Sequence, residues 1–227
     1  MNKLAFDELR MIKEGIAFDE EYYASILMKD PFLVSNAFTL LEEEGYIQNF
    51  ALTRKAEKLL EEHHIDNAII LAAGMSTRFI PFNYEKPKGL LVVRGEVLIE
   101  RQIRQLREKG IQEIIIIVGH MKEQFEYLIE KYGVNLVETD DYAIKNNHAS
   151  VYAARNYLKN SIITSSDLYF SKNIFQSYAY DAYYCTIFMP GKTAERGIET
   201  DDDDRIIKTM YGDKCYDIWV TLGYAFF

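Results

Sequence analysis

Two periodicities divide the chain. Through residues 1–64, apolar side chains return every three or four positions: Leu4, Leu9, Met11 and Ile12, then Tyr22, Tyr23, Ile26 and Leu27, then Val34, Phe38 and Leu41. That spacing sets each group on one face of a helix. The acidic run Glu42–Glu44 is followed by Gly45, which ends the third helix because glycine accepts the left-handed backbone of a helix stop. Tyr46 to Leu52 is short enough for a hairpin, and Thr53 is placed to cap a last helix through Leu59 and Leu60. Helices, a small wing and a further helix describe a winged helix-turn-helix-like domain over 1–64.

From Ile65 the period changes, and a second domain is expected over 65–227. Short β-rich runs, Ala68–Leu71, Glu113–Val118, Asn135–Glu138 and Ser161–Ser165, alternate with helical stretches. Leu98, Ile99, Ile103 and Leu106 share one helical face that stops at Gly110. Phe125, Leu128 and Ile129 mark a helix that stops at Gly133, and Ser150–Leu158 reads as another. Strand–helix alternation with short connections predicts an α/β fold: a mostly parallel, Rossmann-like sheet with helices on both faces. After Tyr183 the order shifts to aromatic-rich strands, broken by an acidic turn at Asp201–Asp204 that reads as a solvated turn rather than a calcium site. Tyr184, Phe188, Tyr211, Trp219 and Phe226 are expected to be core residues of those strands.

Composition narrows the function. The 227 residues are 48% hydrophobic and carry a net charge of −9, which describes an ordered protein and a poor non-specific partner for nucleic acid. The helix over Phe32 to Glu44 contains no Lys or Arg. Only Ser35 and Asn36 near its start suit base reading. The first domain is therefore expected to pack or to form a homodimer rather than to read DNA. No apolar run approaches the roughly 20 residues of a membrane span. Nothing at the N-terminus resembles a secretion signal, and Cys185 and Cys215 read as free thiols, so the expected location is the cytoplasm.

The strongest chemical signal is Leu71-Ala72-Ala73-Gly74-Met75-Ser76-Thr77-Arg78, followed by Pro81 and then Lys86-Pro87-Lys88-Gly89-Leu90. A buried strand ends at Leu71. Small residues after it let the backbone approach a ligand, and successive amides can form a nest for anions. Arg78 offers a bidentate fork to phosphate and Lys88 a point charge. The spacing is neither that of a P-loop nor G-x-G-x-x-G.

Residues 68–128 resemble the start of the sugar-phosphate and choline-phosphate nucleotidyltransferases. The segment Tyr142–Arg155, with Asn146, Asn147 and Ser150 in an N-N-x-x-S pattern, is similar to the bacterial CTP:phosphocholine cytidylyltransferase family. The resemblance implies that Leu71, Ala72, Ala73, Gly74, Ser76, Thr77, Asn146, Asn147 and Ser150 surround the nucleotide. It implies that Arg78 and Lys88 stabilise the reacting phosphates and that Asp167 binds Mg²⁺. The reaction implied is transfer of CMP from CTP to a small phosphorylated acceptor such as phosphocholine, with release of pyrophosphate. His120 and His148 lie near the expected crevice, but this chemistry needs no base.

Three departures qualify the resemblance. Ser76 stands where the family loop has a second glycine. Glu195 and Arg196 fall at the acceptor side, and Arg196 replaces an aromatic residue there, so that a phosphonate, another phospho-alcohol or a sugar phosphate is an open alternative to phosphocholine. The family's catalytic domain runs on beyond a position equivalent to Phe227 and supplies a second metal-binding acid, so a truncated, poorly active product is expected. The competing function is a nucleotide- or metabolite-sensing regulator with a degenerate transferase domain.

Overall fold

The computed structural model describes residues 1–74, 85–139, 147–201, 204–212 and 215–227, with backbone alone at 147 and 148. They form two compact units. One comprises Met1–Ile65 with Gln176–Tyr180, the other Asp66–Phe175 with Asp181–Phe227.

The first unit contains α1 (Lys3–Lys13), α2 (Glu20–Leu27), α3 (Pro31–Glu43), the hairpin β1 (Ile47–Gln48) and β2 (Ala51–Leu52), and α4 (Arg54–Glu62). Each helix starts on a side-chain cap: Asn2, Asp19, Asp30 and Thr53 accept from the amides of Ala5, Tyr22, Phe32 and Ala56. Such caps satisfy donors that the helix itself leaves open. Gly45, at φ +75°, turns the chain out of α3. Phe6, Leu9, Phe38, Leu41, Ile47 and Leu60 close one core cluster, while Met11, Tyr23 and Val34 close a second. Tyr22 and Ile26, assigned to the buried face by spacing, are about half exposed. The face of α2 that packs inward keeps Tyr23 of the expected set and adds Ala24. The segment Gln176–Tyr180 joins this unit from far along the chain. Its Ser177 carbonyl accepts from Ile65 N (3.0 Å), its Ala179 amide donates to His63 O (3.0 Å), and the Tyr180 ring lies 5.5 Å from that of Phe6.

In the second unit the elements run β3 (Asn67–Leu71), β4 (Val92–Val93), β5 (Glu96–Val97), α5 (Leu98–Glu108), β6 (Glu113–Val118), α6 (Tyr127–Tyr132), β7 (Asn135–Glu138), α7 (Asn147–Ala153), β8 (Ser161–Ser165), β9 (Tyr183–Lys192), β10 (Gly197–Thr200), β11 (Ile206–Met210) and β12 (Tyr216–Phe226). The main sheet has the order β11-β10-β12-β8-β3-β6-β7, with β9 also on β12. Its central strands β8, β3, β6 and β7 are parallel, and the strands after Tyr183 extend it antiparallel.

Alternation along the strands assigns the two faces. Ile69, Ile115, Ile117 and Ile163 point to one side and pack with Val151, Ala154 and Tyr157 from α7 and the turn after it. The next row points the other way, where Thr164 Oγ1 meets Gln102 of α5 at 3.3 Å. Helices therefore cover both faces, as near-continuous apolar strands require. α5 and α6 are tied through Glu100. Burial pushes that carboxyl up, but hydrogen bonds from Lys131, Tyr127 and Tyr132 outweigh it and hold it below the usual carboxylate range.

Of the five aromatic residues expected in the core of the later strands, only Phe226 is buried. Tyr184, Phe188, Tyr211 and Trp219 are 43%, 45%, 56% and 50% exposed. The antiparallel extension carries no helix over the rings of Phe188 and Trp219 among the described residues. They pack edge to face on each other instead, 5.6 Å apart.

One buried acid stands out in the first unit. Glu8 of α1 is 0% exposed, and among the described residues neither carboxylate oxygen has a hydrogen-bond partner. Burial, reinforced by Asp7, pushes its pKa from 4.5 to about 8. Tyr23 is raised to about 12, by burial and then by Glu8, and its hydroxyl donates to Ile16 O at 2.8 Å. A raised carboxylate pKa means that the folded state keeps a proton the unfolded chain has lost. Stability then falls as pH rises from about 4.5 to about 8, by at most about 1.4 kcal/mol per pH unit for one proton. Glu8→Gln removes the ionisable group. Its thermal midpoint, followed by circular dichroism, is expected to exceed the wild type's at pH 8 and to match it near pH 5. Parallel pH profiles for the two proteins would refute this account of Glu8.

Candidate active site

The site begins where β3 and β8 end side by side. Their parallel register pairs Leu71 with Ser165, and Ser166 N donates to Leu71 O at 3.0 Å. The segments that follow, Ala72–Gly74 on one strand and Ser166–Asp167 on the other, leave the sheet at the same edge. Carboxyl ends of neighbouring parallel strands are where open α/β sheets bind ligands.

Not every small residue of the loop is available to a ligand. The Ala72 amide is committed to Ile117 O at 2.8 Å, and Ala73 O accepts from His120 N at 3.3 Å. Both alanines are buried. The expectation that Ala72 lends its amide to an anion nest is corrected here, because that amide extends the sheet's hydrogen bonding toward β6. Leu71, Ala72 and Ala73 frame the start of the loop, and Gly74 is the last of its small residues among the described ones. Ser76, Thr77 and Arg78 lie outside the described residues, as do Pro81 and Asn146.

Lys88 is supplied from the opposite wall. A 3₁₀ turn over Lys88–Leu90 lays Gly89 directly on Ser166. A Cβ at Gly89 would stand 2.8 Å from the Ser166 Cβ and 2.9 Å from its Oγ, so glycine is required for the approach. The contact brings Lys88 Nζ to 3.1 Å from Asp167 Oδ2, across 79 positions of sequence. The side chains are 16% and 36% exposed, so the pair is sheltered but open to solvent on one side. The two lysines of the Lys-Pro-Lys motif part company: Lys86 lines an open depression of about 370 Å³ with Leu90, Val92, Val97, Gln124 and Tyr127.

Ser150 is buried on α7 and its carbonyl accepts from Ala154 N. Asn147 opens that helix, and its side chain and that of His148 are not among the described ones. Glu195 and Arg196 reach the same edge by a fork in the sheet. On β12, Val220 pairs with Ile187 of β9 and Gly197 of β10, while Phe226 pairs with Tyr183 of β9 and Ile162 of β8. β8 and β10 therefore occupy successive stretches of one edge of β12 and run in the same direction. β8 stops beside Gly223, and β10 begins beside Val220, with Arg196 O accepting from Thr221 N at 3.3 Å. Glu195 and Arg196 thus stand about where β8 would have continued. The Arg196 guanidinium lies 4.9 Å from the centre of the Tyr211 ring, an attractive cation–π placement. Pairing registers are not readable from residue types, so this fork was invisible in the sequence.

Asp167 offers hard carboxylate oxygen at the crevice, the donor that a small divalent cation takes together with substrate phosphates. No cluster of three or more His, Cys, Asp or Glu suited to a metal occurs among the described residues. Both cysteines are free thiols, Cys215 buried and Cys185 partly so. No helix among the described residues is long and apolar enough to cross a membrane.

Comparison with known proteins agrees with this geometry. The chain is 45% identical over 139 residues to the choline-phosphate cytidylyltransferase of Streptococcus pneumoniae, covering 61% of each protein. It is 37% identical over 165 residues to the 2-aminoethylphosphonate cytidylyltransferase of Lancefieldella rimae, covering 71% of this chain and 66% of that relative. The matches thus span about three fifths to two thirds of these relatives' length. A solved structure of CTP:phosphocholine cytidylyltransferase from Streptococcus pneumoniae superposes with a TM-score of 0.66 at 40% identity, over 71% of this chain and 70% of that one. The model of the MobA-like NTP transferase domain matches residues 68–198, and the chain belongs to that family.

Proposed function

We propose that the second unit transfers a cytidylyl group from CTP to a small acceptor bearing a phosphate or phosphonate. The observation that carries this reading is the Lys88–Asp167 pair, 3.1 Å apart at the joint mouth of β3 and β8. Two residue types needed by one reaction, a phosphate-binding cation and a metal-binding carboxylate, converge there from distant parts of the sequence. The relatives named above as cytidylyltransferases support the choice of CTP.

In this mechanism an acceptor oxygen attacks the α-phosphorus of CTP. The bond from that phosphorus to the bridging oxygen breaks, and pyrophosphate leaves. The nucleophile is already anionic, so the protein supplies no covalent group and no base. Its work is alignment and charge neutralisation. Lys88 and Arg78 take the triphosphate oxygens, and the loop from Gly74 through Thr77 holds the nucleotide with Asn146, Asn147 and Ser150. Asp167 would hold Mg²⁺, which would supply positive charge to the phosphates. The ion pair seen between Lys88 and Asp167 keeps both groups positioned before substrate arrives, and each then exchanges its partner for a phosphate or a cation. Glu195 and Arg196 face the acceptor, and the cation at Arg196 disfavours a quaternary ammonium nearby. We assign the first unit, a winged-helix-like domain with an acidic balance, to assembly rather than to duplex reading.

The test is pyrophosphate release with CTP, UTP, GTP and ATP against phosphocholine and 2-aminoethylphosphonate. Turnover that requires CTP and a divalent cation supports the proposal. Tight CTP binding without turnover would support the sensor reading instead. Lys88→Ala is expected to lower kcat/KM by on the order of 10²-fold, the scale found when one charge-stabilising donor is removed. Asp167→Asn is expected to shift the divalent-ion requirement to higher concentration, and an unchanged metal titration would remove Asp167 from the site. Gly89→Val should lower turnover at least tenfold by wedging the 88–90 turn off Ser166, with less effect in a Gly89→Val/Ser166→Gly double variant. Wild-type rates in the single variant would show that this close approach is not needed.

A further inference from the structure

The face of α5 that meets the sheet is not purely apolar. Ile99, Ile103 and Leu106 are fully covered there, yet Gln102 and Gln105 are buried with them. A buried primary amide has lost its water and is kept where protein groups replace it. Gln105 gives Nε2 to Phe170 O at 3.1 Å, and Arg101 donates to Phe170 O at 2.9 Å and to Ser171 O at 3.0 Å. Gln102 is engaged at both ends. Its Nε2 donates to Ser165 O at 2.9 Å and to Leu168 O at 2.8 Å, and its Oε1 accepts from Thr164 Oγ1 at 3.3 Å. Carbonyls can only accept, so the amide nitrogen must face them and the amide oxygen must face the hydroxyl.

The two carbonyls are the ends of one turn. Leu168 N donates back to Ser165 O at 3.3 Å, which makes Ser165-Ser166-Asp167-Leu168 a four-residue turn with Asp167 third. The entrance of the turn is fixed. Ser165 is the last residue of β8, and Gly223 seats on it so closely that a Cβ there would stand 2.5 Å from the Ser165 Oγ. The exit, Leu168, lies past the end of the strand. The turn's own closing bond is long, and the Gln102 bond to the exit carbonyl is the shorter one. A turn tied at its entrance can rock about that end, and a bridge from Gln102 to both ends removes the motion. The Lys88–Asp167 pair cannot hold the carboxylate during the reaction, because the proposed mechanism gives Lys88 to a phosphate.

We infer that Gln102 is a positioning residue for the transfer: its amide bridges both ends of the Ser165–Leu168 turn and so fixes where the Asp167 carboxylate stands. This rests on the transferase reading. Gln102 acts through Asp167, and a displacement of about 1 Å at such a group costs on the order of 10²-fold in rate.

Gln102→Met keeps the side chain's length and removes both donors. The variant is expected to fold with wild-type circular dichroism. Its kcat should fall at least tenfold while KM for CTP changes less than threefold, because Asp167 is displaced and the nucleotide loop is not. Mn²⁺ binding to the CTP-saturated protein, read by electron paramagnetic resonance without acceptor or turnover, should weaken at least threefold. Thr164→Val removes the hydroxyl facing the amide and should move both quantities the same way by smaller factors, which decides the matter where Gln102→Met does not fold. In an Asp167→Asn background, Gln102→Met should cost less than a further twofold, since nothing is left to position. Unchanged kcat and Mn²⁺ binding in the folded variant, even with a lowered melting temperature, would overturn the role of Gln102 and leave the transferase reading standing. So would an equal loss with and without the Asp167 carboxylate. A wild-type protein with no CTP-dependent turnover, and with Mn²⁺ binding indifferent to Asp167→Asn, would remove the transferase reading and this inference with it.

Discussion

The second unit is organised around the parallel pairing of β3 with β8. That register places Leu71 beside Ser165, so both chains leave the sheet together. The strand ends are then fixed by backbone hydrogen bonds, the stiffest constraint available to a loop, and Ser166 N to Leu71 O is the last of them. Gly89 closes the third side by seating on Ser166. Lys88 and Asp167 meet because three backbone segments are held, and neither long side chain has to search for the other. An ion pair this open to solvent contributes little stability. Its value is positional: both groups are held at the mouth of β3 and β8, where the proposed mechanism places the reacting phosphates.

Much of this frame could be read from residue order. Runs such as Glu113–Val118 and Ser161–Ser165 have unbroken apolar or β-branched centres, Ile114–Val118 and Ile162–Thr164, flanked by polar residues or glycine, so their extents were readable directly. Helix stops were equally clear where a glycine was needed: Gly110 and Gly133 sit at φ +82° and +58° at helix ends. The small-residue loop and the Lys-Pro-Lys motif pointed to the site because both are local patterns. What failed to show was anything fixed by pairing. Whether the Ala72 amide bonds to Ile117 or to a ligand depends on a neighbouring strand, as does the placing of Glu195 and Arg196 beyond β8.

Burial was less legible than secondary structure, for a related reason. Aromatic residues in strands suggest core, yet Trp219 and Tyr211 are half exposed, Trp219 with its ring against Phe188 and Tyr211 with its ring against Arg196, rather than under a packed layer. Periodicity grouped Tyr22, Tyr23, Ile26 and Leu27, but α2 is only eight residues long and turns Tyr23 and Ala24 inward while Tyr22 and Ile26 stay about half exposed. Short helices give period arguments too few turns to average over. The capping residues were firmer guides, since a side chain that satisfies an open amide acts within three residues of its own position.

The two units solve opposite electrostatic problems. On the proposed reading, a protein with net charge −9 must draw a polyanionic nucleotide into one small region. It can do so only if cations concentrate where the strand ends converge, and Lys88 is placed there by backbone contacts rather than by chance proximity. The first unit faces the reverse demand. Over residues 1–64 its seven Lys and Arg stand against thirteen Asp and Glu, a field that repels polyanions rather than gathering them.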